Sequence, residues 1–129
     1  MESYDHPTLS VKRGDTIAEV QEKLWLKSFP HPIVETDKHA FYYHLPDLGF
    51  WVFFNEESKV YSIRYEAPYP FSIEGIKIGD HKEKVLEVRG KPNRHMPIPD
   101  GKTRWIYDRP RFIRMDFDPE TNLIEKIFR

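Results

Sequence analysis

"KRGDTIAEV" at residues 12–20 and "KIGDHKEKV" at residues 77–85 decide how this chain is read. Lys12 matches Lys77, Gly14 matches Gly79, Asp15 matches Asp80 and Val20 matches Val85, each pair 65 positions apart (77 − 12, 79 − 14, 80 − 15, 85 − 20). Four identities in nine positions gain meaning only if the downstream elements keep the same order.

After the first copy, Ile17, Val20 and Leu24 fall at i, i+3 and i+7, the spacing of one helix face. Asp15 or Thr16 can cap this helix, and Thr16 with Glu19 has capping-box spacing. Pro30 and Pro32 remove backbone donors, so the helix is expected to stop before "FPHP". Three strand-like runs follow: "HAFYYHL" (39–45), "FWVFF" (50–54) and "KVYSIRY" (59–65), the first two separated by the turn composition "PDLG". "EAPYPF" (66–71) then reads as a linker.

After the second copy the order returns. Asp80 with Glu83 has capping-box spacing, Val85, Leu86 and Val88 continue a helix, and Gly90 followed by Pro92 ends it. A long polar loop is expected to residue 101, then runs at 103–108, 111–117 and 122–128. Tyr42 and Tyr107 keep the offset of 65, while Phe53 and Phe117, and Ile63 and Ile127, stand 64 apart (117 − 53, 127 − 63). The expectation is α+β: a duplication in which each helix-plus-three-stranded antiparallel meander shares one sheet, helices on one face. Repeat 1 spans 9–66, a linker 67–72 and repeat 2 73–129, all within a single domain over 1–129. One such unit buries too little apolar surface to offset an ordering cost of roughly 1–2 kcal/mol per residue, which is a physical reason for doubling it.

Alternation gives each strand two faces. The repeat pairs nominate Trp51, Phe53, Ile63, Trp105, Tyr107, Met115, Phe117 and Ile127 for the core. The other face then carries His39, Phe41, Tyr43, Val52, Phe54, Ser62, Arg64, Arg104, Ile106, Asp108, Phe112, Arg114, Asp116, Lys126 and Phe128. Aromatics interleaved with Arg and Asp are the residues enriched at protein–protein hot spots. Phe41, Tyr43, Arg64, Arg104, Phe112, Arg114 and Asp116 are accordingly the candidate partner-binding residues. A slip of one residue in register would exchange the two faces.

Composition narrows the function classes. Hydrophobic residues are 39%, charged residues 32% and the formal net charge −1, so a soluble globular chain is expected, with no basic excess for nucleic acid. There are no cysteines, which removes disulfides and thiolate sites and fits a cytoplasmic location. The N-terminal "MESYDHPTLS" lacks a basic and apolar leader pattern, so neither a signal peptide nor a membrane span is expected. The six histidines, His6, His31, His39, His44, His81 and His95, show no helical zinc spacing. Asp116 and Asp118 share a face and could hold a hard cation, but they lie where a strand enters a turn. Neither a phosphate loop nor a nucleophile–base set is present, so no enzyme activity, cofactor or metal is expected.

"IKIGDHKEKVLEVRGKPNR", followed by "WIY", "FIRMDF" and "LIEKI", resembles the outer-membrane assembly lipoproteins of the BamE (SmpA/OmlA) type. Their repeat opens with apolar–x–x–Gly at a helix entry, leaves by Gly–x–Pro and continues into a meander with Trp and Tyr. Residues 76–127 carry the likeness; residues 11–65 lack the Gly–x–Pro exit, and the lipobox cysteine is missing. Two such units in tandem are similar to the β-lactamase inhibitory proteins, which occlude an enzyme with an open aromatic sheet face. In size and style the chain also resembles immunity proteins of bacterial polymorphic toxin systems. These likenesses imply a non-enzymatic protein that neutralises a partner protein, a toxin or an enzyme. Two alternatives stay open: a ligand-binding or enzymatic domain with a site near the 91–102 loop, and a structural subunit related to the envelope family. The oligomeric state stays open too.

Overall fold

The computed structural model describes residues 7–24, 34–35 and 41–129. The duplicated motif is a turn that glycine makes possible. Asp15 donates its N–H to the Lys12 carbonyl (3.2 Å), and its Oδ2 accepts the Lys12 N–H (3.0 Å). Asp80 and Lys77 repeat both bonds at 3.1 and 2.9 Å. Gly14 and Gly79 sit at φ +90° and +93°, with nothing within 4 Å of where a Cβ would stand, so backbone angle and not space demands glycine. Each turn then docks on a strand. Gly14 N–H donates to Val60 C=O and Val60 N–H to Asp15 C=O, both at 2.8 Å. Gly79 N–H donates to Ile124 C=O (2.9 Å) and Ile124 N–H to Asp80 C=O (2.8 Å).

The chain is α+β with antiparallel strands, and it divides into two compact units, residues 1–63 and 64–129. The first holds helix α1 (Ile17–Lys23) and strands β1 (Val34–Glu35), β2 (Phe41–Leu45), β3 (Phe50–Phe54) and the start of β4 (Val60–Glu66). The second holds helix α2 (Lys82–Arg89) and strands β5 (Arg94–Pro97), β6 (Thr103–Tyr107), β7 (Ile113–Phe117) and β8 (Ile124–Phe128). Hydrogen-bonded order in the first is β1-β2-β3-β4. In the second it runs from residues 64–66 through β8, β7 and β6 to β5. No helix among the described residues is long and apolar enough to cross a membrane.

The six expected strands form within two residues of their expected bounds at each end. Two further strands are additions. Arg94–Pro97, expected as loop, pairs with β6 from Arg94↔Ile106 to Pro97↔Thr103. The two-residue β1 pairs with β2. Neither has the length or alternation that marks a strand; a neighbouring edge supplies the hydrogen bonds. The expected linker at 67–72 is not loose, since Tyr69 is buried and meets Tyr65 edge-on at 4.8 Å.

Helix α1 starts as the spacing predicts. Glu19 N–H donates to Thr16 Oγ1 (3.1 Å) and Thr16 N–H to Glu19 Oε1 (3.2 Å), a capping box. It ends at Lys23, before "FPHP". Pro30, Pro32, His6, His31 and His39 lie outside the described residues. In α2 the cap is His81, not Asp80: His81 Nδ1 accepts the Glu83 N–H at 3.0 Å. Asp80 is already committed to the turn one residue earlier. Gly90 closes α2.

The core of the second unit follows expectation, with Tyr107, Met115, Phe117 and Ile127 buried and joined by Tyr65 and Ile113. Trp105 is half-buried under α2, the Lys82 ammonium 5.7 Å from its ring. In the first unit the faces are exchanged. Tyr43, Phe50, Val52 and Phe54 are fully buried, with Phe41 opposite Phe54 and Tyr43 opposite Val52. Trp51 and Phe53, expected in the core, are half-buried and stack their rings almost parallel at 6.1 Å. Both faces of "FWVFF" are apolar, so alternation is satisfied either way and packing decides. Ile63 is buried as expected.

Two outcomes follow. Gly79→Ala, and Gly14→Ala likewise, will each destabilise the chain by about 1–2 kcal/mol in urea unfolding, because an L side chain is strained at that φ. Burial pushes the Tyr43 phenol up to about 12. The folded chain therefore holds that proton more tightly than the unfolded one, and stability present below the ordinary tyrosine value near 10 is lost as pH rises toward 12. Alkaline unfolding followed by circular dichroism will begin at higher pH in Tyr43→Phe.

Candidate functional site

Strand register in the second unit assembles one polar–aromatic face. One row across it reads Arg64, Phe128, Arg114, Ile106 and Arg94; the next reads Glu66, Lys126, Asp116, Arg104 and Met96. Helix α2 lies against the opposite face, with Lys82 over Trp105 and Phe117 and Arg89 over Tyr107 at 4.8 Å.

Two arrangements organise the polar face. Arg104 grips Asp116 with both arms, Nε to Oδ1 at 2.8 Å and Nη2 to Oδ2 at 3.1 Å. Asp116 is 4% exposed, so its carboxylate is largely withdrawn from water, while Arg104 stays partly exposed. The carboxylate holds the Arg104 guanidinium above its ordinary pKa. Beside it, the Arg114 guanidinium lies 3.9 Å from the Phe128 ring centroid, a close cation–π stack. Partial burial, and then the like charge of Arg104, pull the Arg114 pKa down. Arg64 stands 3.7 Å from Glu66. With Arg94 neutralised by Asp108, Arg64, Arg104, Arg114 and Lys126 against Glu66 and Asp116 leave a formal charge of 4 − 2 = +2 on a chain whose total is −1.

Arg64, Arg104, Arg114 and Asp116 are thus brought together as a set. Phe112 precedes β7 and is half-buried. Phe41 is half-buried in the first unit. Tyr43 was expected on an open face and is instead fully enclosed, so it packs rather than presents. Phe128 and Lys126 were assigned to this face by alternation but not singled out. Their register against Arg114 and Asp116 depends on an irregularity between Asp116 and Phe117 that spacing does not reveal.

On the opposite face a shallow groove of about 520 Å³ is lined by Lys91, Pro92, Asn93, His95 and Trp105. Asn93 is fixed there, its Oδ1 accepting the Asp108 N–H at 2.8 Å. Asp118 spends its Oδ2 on the Glu120 and Thr121 N–H groups, which holds its pKa down. Among the described residues no group of three His, Cys, Asp or Glu side chains is placed to hold a metal ion. The chain matches no family model, no curated protein and no solved structure.

The Arg104–Asp116 pair makes a prediction about stability. Arg104→Met leaves Asp116 buried without its partner and will cost about 2–3 kcal/mol, tempered because Arg104 keeps some water contact. Arg104→Met with Asp116→Leu will recover most of that loss, as read from chemical denaturation of both variants.

Proposed function

We propose that this chain is a non-enzymatic binding protein that neutralises a partner protein, a toxin or an enzyme, by docking the polar–aromatic face of its second unit. The observation that carries the reading is the Arg114 stack on Phe128 beside the half-buried Arg104–Asp116 fork. Ordered arginines on aromatic rings lose little freedom on binding and supply directional donors, the character of hot-spot residues. The finer reading is a cytosolic immunity protein built of two BamE-like repeats, each with its helix on the face away from the partner. The paired Lys–x–Gly–Asp turns, bonded to Val60 and to Ile124, support the duplication.

The groove beside Trp105 favours a second reading, a small-ligand domain with its site at the start of the 91–102 loop. The two readings use opposite faces of the same strands, so variants separate them.

The experiment is affinity capture with the full chain, identification of the bound protein, and titration of that purified partner. Arg114→Glu combined with Lys126→Glu is expected to weaken the complex by at least about 100-fold, with the melting temperature little changed. Equal affinity for the variant places the docking surface elsewhere. Loss of binding on His95→Ala instead supports the groove.

A further inference from the structure

We propose that Arg114 is the anchor for a carboxylate, so that the partner segment seated on this face is acidic. This rests on the reading of the face as a protein-docking surface and names the chemistry that it takes. Four other arginines of this unit each have a carboxylate partner. Arg104 holds Asp116, Arg94 holds Asp108 at 3.0 Å, Arg64 lies 3.7 Å from Glu66, and Arg89 lies 4.0 Å from Glu74. Arg114 has no such carboxylate among the described residues. Its Nε is closed off from solvent and has no hydrogen-bond acceptor.

Its guanidinium carbon lies 3.9 Å from the Phe128 ring centroid, a contact that restrains the group and engages none of its N–H donors with an oxygen acceptor. Ile106 stands opposite it in register on the neighbouring strand and offers no acceptor. Asp116 shares the face, but both of its oxygens are held by Arg104. What remains is a half-buried cation, oriented and under-neutralised, on a patch of formal charge +2. A donor in that state gains most from a planar anion that accepts two parallel N–H bonds, which is the geometry of a carboxylate. The apolar border of Phe128 and Ile106 suits the methylene stem of a Glu or Asp side chain better than a fully hydrated free ion.

The test uses the full-length chain and a synthetic hexaglutamate peptide at about 0.15 M salt, where charges beyond about 8 Å are screened. NMR of arginine Nε–Hε groups is the readout, with the Arg114 resonance assigned by its loss in Arg114→Lys. Hexaglutamate is expected to move that resonance saturably. Arg114→Lys, which keeps the charge but loses the fork, should bind the peptide about tenfold more weakly. Phe128→Leu should weaken binding several-fold by releasing the guanidinium plane, and a melting curve for each variant excludes unfolding as the cause.

No saturable movement would overturn the proposal, as would equal affinity in Arg114→Lys. Tighter binding of inorganic phosphate than of hexaglutamate would overturn the choice of carboxylate. The docking reading fails independently. If hexaglutamate fails while Arg114→Glu with Lys126→Glu still abolishes partner binding, the face docks a partner but not through a carboxylate. If hexaglutamate binds and the partner ignores that double variant, the anion site stands and the docking reading falls.

Discussion

Each unit of this protein depends on one contact: a Lys–x–Gly–Asp turn bonded by two backbone hydrogen bonds to its last strand. In the first unit the bonds join Gly14 and Asp15 to Val60; in the second they join Gly79 and Asp80 to Ile124. The turn lies immediately before the helix, so tying it to the strand fixes where the helix begins. Thr16 and His81, the residues that cap the helices, also bridge to the residue just before that strand, Lys59 and Leu123. Residues 43 and 42 positions apart in sequence (59 − 16, 123 − 81) are thereby joined. Asp15 is 2% exposed and takes the Lys23 ammonium at 2.7 Å, which ties the end of α1 back to its start. Asp80 makes the same turn at a wetter site. The same backbone device thus operates in two different electrostatic settings.

Side-chain roles around this frame differ between the two units. In the second unit α2 covers the face bearing Trp105, Tyr107 and Phe117, and the opposite face carries the charged rows. In the first unit the buried set is Tyr43, Phe50, Val52 and Phe54, while His44 and Trp51 stack at 3.6 Å on a half-buried aromatic face. Aromatic side chains permit this because their area makes either face worth burying. The high aromatic content is therefore used twice, as enclosed core in both units and as a stacked surface ladder in the first.

The charged face owes its character to uneven pairing. Arg104 and Asp116 neutralise each other under cover, at the desolvation cost that any buried pair carries. Arg114 meets a ring instead of a carboxylate. The contrast arises from position: Asp116 is directly across from Arg104, whereas Phe128 is across from Arg114. Neighbouring arginines on adjacent rows therefore have different neighbours, one held by a carboxylate across the strands and one stacked on a ring.

The sequence by itself determined the element types, six of the strands to within two residues, the two glycine turns and the Thr16–Glu19 cap, because these depend on local backbone preference and on periodicity. It also placed Arg114 and Asp116 on one face, since "IRMDF" at 113–117 alternates apolar with polar. Only the tertiary structure decided the rest. "FWVFF" is apolar at every position, so nothing local says whether Trp51 or Val52 points inward, and the surrounding packing chose Val52. The strand at Arg94–Pro97 exists because β6 offers it an edge. That Asp116 answers Arg104 while Phe128 answers Arg114 is a matter of register between strands. Register is set by long-range pairing and by the irregularity after Asp116, neither of which is encoded in the spacing of one segment.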